Sequence, residues 1–134
     1  MKSLLPQIEV PLARFALFLV YFWFGLLKLL GLSPAESLVR TLFEKTIPFL
    51  SFDTFYLTFA LFEVVIGLLI LAKGWERVAL RLIAAHLIAT LLPLFFLPDV
   101  TWQGILVPTL VGQYIIKNIL IVSAAVVVGT RLRA

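Results

Sequence analysis

Titratable and strongly polar side chains stand inside stretches of this sequence that are otherwise almost wholly apolar, and their spacing sorts them into stripes. In RFALFLVYFWFGLLKLLG, residues 14–31, Arg14, Phe18, Tyr21, Gly25 and Lys28 follow one another at steps of four, three, four and three. A 3.6-residue period puts all five on one helix face. The second apolar stretch, FYLTFALFEVVIGLLILA, carries a single carboxylate, Glu63, and the third carries Arg81 and then His86, Thr90 and Pro93 at i, i+4 and i+7. In the last stretch Gln113 and Lys117 share one stripe, and Tyr114 and Asn118 share the next. A cation at mid-bilayer costs about 2.5–3.5 kcal/mol, so such groups face a bundle interior, pair with one another, or snorkel to an interface.

These residue types suit a buried ion-pair network. At ~1.5 Å of rise per residue counted from the outer helix ends, Glu63 lies ~14 Å deep, Lys117 ~10 Å and Lys28 ~5 Å, with Arg14 near the opposite face. Depth matching predicts that Glu63 pairs with Lys117, that Lys28 is a second donor, and that Gln113, Asn118 and Tyr21 supply neutral hydrogen bonds. Such a network either fixes helix registry or lines a ligand pocket in the outer half of the membrane. His86 is the single histidine of a chain without cysteine and with methionine only at position 1, which argues against a metal site. One imidazole suffices for a five-coordinate haem or a bond to a quinone carbonyl, while a packed histidine bonded to Thr90 or a nearby carbonyl is the simpler role. G-x-S-x-G, P-loop and H-E-x-x-H signatures are absent, so the usual hydrolase and nucleotide chemistries have no anchor here.

The elements that position these groups follow from the apolar runs. With 134 residues, 63% of them hydrophobic, only 13% charged and a mean hydropathy of +1.14, the chain is too apolar for a soluble domain, whose apolar share is usually about 45–50%. It reads as one all-α membrane domain, a four-helix bundle with spans at about 12–32, 55–72, 78–97 and 110–128. Pro11 suits the first turn of the first span. Ser33-Pro34-Ala35-Glu36 reads as a capping box opening a short helix over 34–45. There Leu38, Val39, Leu42 and Phe43 oppose Glu36, Arg40 and Glu44, the segregation of a helix lying in the interface plane. Pro93 is expected to kink the third span, and the stretch around Ile105 to Val107 reads as a shallow re-entrant or interfacial piece. The first apolar run, preceded by Pro6, Glu9 and Pro11, ends in GLLKLLG without a small-x-small cleavage site and reads as retained.

Charge sets the expected orientation. The end holding both termini owns Lys2, Arg14, Lys73, Arg77, Arg81, Arg131 and Arg133, seven of the eleven bases. The positive-inside bias then places both termini in the cytoplasm of an inner-membrane, multi-pass protein. The net charge of +4 does not imply nucleic acid, because the bases form no run interleaved with exposed aromatics.

The motifs R-F…F-W-F-G-L-L-K-L-L-G, then F-E-V-V-I-G-L-L-I-L, then G-Q-Y-I-I-K-N-I-L-I-V-S-A-A, in that order, resemble the DoxX-like superfamily of small four-span membrane proteins, with the reactive-chlorine-resistance branch most similar. Arg14, Gly25, Lys28, Glu63, Gly67 and Lys117 match its arginine and G-x-x-K in the first span, E-x-x-x-G in the second and lysine early in the last. The two outer loops here are shorter than in that branch. The resemblance implies a membrane subunit or accessory protein of a quinone-linked or oxidative-stress system, with a quinone as cofactor, the lipid bilayer and a redox enzyme as partners, and homo-oligomerisation open. A small-solute or proton-coupled carrier, in which the Glu63 network relays protons, and a structural assembly partner are the alternative readings.

Overall fold

A computed structural model describes residues 5–132. Lys2 and Arg133, two of the bases counted above, lie outside the described residues. The chain folds as an all-α four-helix membrane bundle. Helix α1 spans Leu5–Leu29, α2 Glu36–Thr46, α3 Phe52–Leu71 and α4 Glu76–Phe96. The one-turn α5 (Pro98–Thr101) leads into a small antiparallel hairpin of β1 (Trp102–Gly104) and β2 (Val107–Pro108), and α6 (Leu110–Ile116) and α7 (Ile119–Arg131) complete the chain. Four helical stretches, Gln7–Leu29, Phe52–Leu71, Glu76–Phe96 and Leu110–Arg131, are long and apolar enough to cross a membrane, where every backbone polar group must be satisfied within the segment.

Several boundaries differ from the pattern-based expectation. Helix α1 begins at Leu5, so Pro11 lies inside it rather than in its first turn. Helix α2 begins at Glu36 without a side-chain cap. The Ser33 hydroxyl instead accepts a bond from the Ala35 N–H at 3.1 Å, so the expected capping box is a turn two residues upstream. The last span is interrupted at Lys117 and Asn118, where Asn118 N–H bonds Ile115 O and Leu120 N–H bonds Lys117 O, both three residues back. This tight turn separates α6 from α7. The 105–107 piece is the hairpin tip, with Ile105 and Leu106 projecting outward. Gly31 and Gly74 close α1 and α3 at φ +72° and +90°, conformations that favour glycine.

The bundle is assembled around the seam between α1 and α3. At Gly25 an added Cβ would stand 2.9 Å from the backbone nitrogen of Val64, and at Gly67 it would stand 2.8 Å from that of Phe22. The two backbones therefore meet without side chains between them, as small residues allow in membrane helix pairs. These contacts put Gly25 level with Ala60 to Val64, so α1 ends about two turns short of the start of α3. Helix α2 occupies that gap, with Phe43 packed on Phe52 and Phe55 at ring separations of 5.5 and 5.1 Å. Leu17, Tyr21, Ile66, Ile70, Ala79, Ile83 and Val128 form the core toward the other end. The exposed apolar residues elsewhere, Leu12, Phe15, Leu61, Leu68 and Ile88 among them, form the lipid-facing surface of a multi-pass membrane protein.

Candidate functional site

Four polar side chains from three helices meet in the middle of the bundle. Lys28 of α1 donates from Nζ to Glu63 Oε2 of α3 at 3.0 Å. The other carboxylate oxygen, Oε1, lies 3.2 Å from Nε2 of His86 on α4, and His86 Nδ1 lies 3.1 Å from the Tyr21 hydroxyl of α1. With the carboxylate as acceptor of the Nε2–H, Nδ1 is left as acceptor for the Tyr21 O–H. The result is one hydrogen-bonded chain, Tyr21 to His86 to Glu63 to Lys28. Side-chain exposure is 7% for Lys28, 5% for Glu63 and 10% for His86, so the pair is desolvated and its geometry is what offsets the cost of burying charge.

Aromatic rings wall the chain. Phe59 stacks on the His86 ring at 5.4 Å and 15°, and its face also receives Lys28 Nζ at 5.6 Å. Tyr21 meets His86 edge-on at 5.0 Å. Toward α2, Tyr56 lies on the same buried stripe of α3 as Ala60 and Glu63, and its hydroxyl has no hydrogen-bond partner among the described residues.

The expected pairing of Glu63 with Lys117 is not what forms. Lys117 is exposed on the outside of the bundle, over the ring of Tyr114 at 5.4 Å, and Gln113 is exposed beside it. Asn118 is half-buried at the turn between α6 and α7, and among the described residues its side chain makes no bond to the network. The expectation failed because α6 turns the Gln113 and Lys117 stripe outward and because depth was measured from helix ends taken as level. Close packing at Gly25 and Gly67 slides α1 down α3, bringing Lys28 to the level of Ala60, one turn from Glu63. His86 was not expected as a partner of Glu63, yet it lies ten residues from Phe96, about 15 Å of rise, so for α3 and α4 the count from the outer ends places the two at similar depth, as their 3.2 Å contact requires. Thr90 is not its partner, since that hydroxyl bonds Leu87 O.

Arg14 is separate from this chain, near the opposite end as expected. Its Nε and Nη2 donate to the carbonyls of Ile70 and Leu71 at 3.0 and 3.1 Å, and Nη2 lies 3.3 Å from Glu76 Oε1. Glu76 Oε2 in turn accepts from Gly74 N–H at 2.8 Å. Arg14 thus fastens α1 to the α3–α4 turn. Neither of two surface recesses, one lined by Arg77 and Arg81 and the other by Val10, Pro11, Arg14 and Leu71, touches the Glu63 chain. No cluster of three or more metal-ligating side chains occurs among the described residues.

The chain matches no family model, no curated protein and no solved structure.

Proposed function

We propose that this protein is a membrane subunit or accessory protein of a quinone-linked or oxidative-stress redox system, in which the Tyr21, His86, Glu63 and Lys28 chain exchanges protons with a lipophilic quinone. The supporting observation is the chain itself, four titratable groups in hydrogen-bond contact inside a bilayer-spanning bundle, the arrangement by which intramembrane ionisable residues relay protons. Reduction of a quinone by two electrons takes up two protons; in this reading a partner redox enzyme supplies the electrons and the chain the protons. Tyr21 and His86 form the quinone end. Lys28 and the unpartnered hydroxyl of Tyr56 lead toward the surface beneath α2. The arginine and G-x-x-K of α1, the E-x-x-x-G of α3 and the resemblance they carry to the DoxX-like superfamily support the same reading, although Lys117, the last element of that pattern, points away from the network.

Binding of a short-chain benzoquinone to the protein in nanodiscs tests the proposal. Saturable binding is expected, weakened roughly tenfold, or about 1.4 kcal/mol, by either His86→Leu or Tyr21→Phe and unaltered by Tyr114→Phe. No saturable binding, or equal affinity in all four proteins, would remove the quinone reading. A second reading has its own support: the polar chain is closed over by packing, as expected of an ion pair that only pins helix registry.

The proposed orientation places both termini in the cytoplasm. Among the described residues the terminal end of the bundle carries Arg14, Lys73, Arg77, Arg81 and Arg131 against only Glu9 and Glu76, which is the asymmetry of the positive-inside bias. A C-terminal reporter active only in the periplasm would reverse the assignment.

A further inference from the structure

At the end of the bundle that carries the termini, α4 and α7 leave between them an open surface recess of about 310 Å³ lined by Arg77, Leu80, Arg81, Gly129 and Leu132. Arg77 and Arg81 are one turn apart on α4, a spacing at which like charges repel. Acids are scarce at this end. Glu76 is engaged by Arg14, and Glu9 is engaged by Arg131. Among the described residues neither cavity arginine has a carboxylate partner; Arg77 donates from Nη2 to the Leu132 carbonyl at 3.0 Å, and Arg81 makes no ion pair. Arg81 lies about 7.5 Å of helix rise inside the start of α4, a position from which its long side chain reaches the headgroup layer by snorkelling, and Leu80 and Leu132 supply the apolar lining beside it.

Gly129 completes the shape. An added Cβ there would meet only Leu80 Cδ1, at 3.6 Å, so this glycine is required by no backbone approach, and its missing side chain is what keeps the recess open. Two guanidinium groups beside apolar Leu80 and Leu132, within reach of the headgroup layer and without a carboxylate partner among the described residues, match a phosphate ester whose acyl chains run down the lipid-facing side.

We propose that this recess binds the phosphate group of an anionic phospholipid, clamped by Arg77 and Arg81. The site is independent of the Glu63 chain and of the quinone reading. Native mass spectrometry of the detergent-solubilised protein, titrated with phosphatidylglycerol, phosphatidylcholine or inorganic phosphate, tests it. Wild type should retain one phosphatidylglycerol in preference to phosphatidylcholine. Arg81→Gln should weaken that binding roughly fivefold, the loss of one near-surface cationic contact, and Arg81→Lys should restore most of it. Gly129→Leu should fill the recess and abolish retention while leaving helical content and thermal midpoint unchanged. Equal retention of the two lipids, or retention unaltered by Arg81→Gln and Gly129→Leu, would overturn the proposal. Displacement of phosphatidylglycerol by inorganic phosphate at equimolar concentration would assign the recess to a free anion and overturn the lipid assignment.

Discussion

Lys28→Met should destabilise the bundle by about 3–5 kcal/mol, the loss typical when one partner of a buried ion pair is removed and the other is left without compensation. Lys28 Nζ is 3.0 Å from Glu63 Oε2, and both side chains are more than nine-tenths buried. After the substitution Glu63 keeps only the His86 Nε2–H at 3.2 Å. Glu63→Gln should cost a comparable amount, by leaving a buried ammonium group with a neutral amide oxygen in place of its carboxylate, beside the ring of Phe59. The double variant Lys28→Met with Glu63→Gln should recover most of the loss, because no unpaired charge remains. Reversible unfolding in mixed micelles measures all three. Lys117→Met is the control and should change stability by less than about 0.5 kcal/mol, since that side chain is on the bundle exterior. Additive losses in the double variant, or a Lys117 effect as large as that of Lys28, would show that Glu63 is paired elsewhere. If the double variant is stable but binds no quinone, the pair serves the site; if it is stable and binds normally, the pair serves registry alone.

Gly67→Ala should lower stability by about 1–3 kcal/mol, the range for forcing an extra methyl into a packed interior. A methyl at Gly67 would stand 2.8 Å from Phe22 N and 3.1 Å from Phe22 Cα. These are backbone atoms, so the helix must move rather than a side chain. Separation of α1 from α3 would then lengthen the Lys28 to Glu63 contact one turn away, coupling a change at an apolar position to the polar chain. Gly104→Ala supplies the comparison. Its added methyl lies 3.7 Å or more from Val107, an ordinary contact, and its expected effect is small. Thermal midpoints of the two variants should differ by several degrees, and equal midpoints would mean that the α1 to α3 seam tolerates a wider spacing than the backbone distances imply.

The number of spans, their approximate limits and the short amphipathic helix α2 between the first two were legible in the sequence, because hydrophobic run length and helical periodicity are local properties that a bilayer converts directly into structure. The stripe of Arg14, Phe18, Tyr21, Gly25 and Lys28 was legible for the same reason, and α3 packs along it. Glu63 stood out as the lone carboxylate of its span. Lys28 was named only as its second donor, behind Lys117, and His86 was not named as a partner, because a partner depends on the relative heights of two helices, and height is set by where their backbones touch. Gly25 and Gly67 are visible as glycines in the sequence, but only the packed pair shows that they face each other and slide Lys28 toward Glu63. The polar half of the last span misled for a related reason: Gln113 and Lys117 share a stripe, yet rotation of α6 about its axis turns that stripe outward. Arg14 found Glu76 through the turn after α3, a pairing between residues far apart in the chain. Composition thus determined that this chain enters a membrane as four helices, whereas tertiary packing decided which charges meet inside it, because ion pairing requires contact within a few ångströms and helical rotation and register change side-chain positions by more than that.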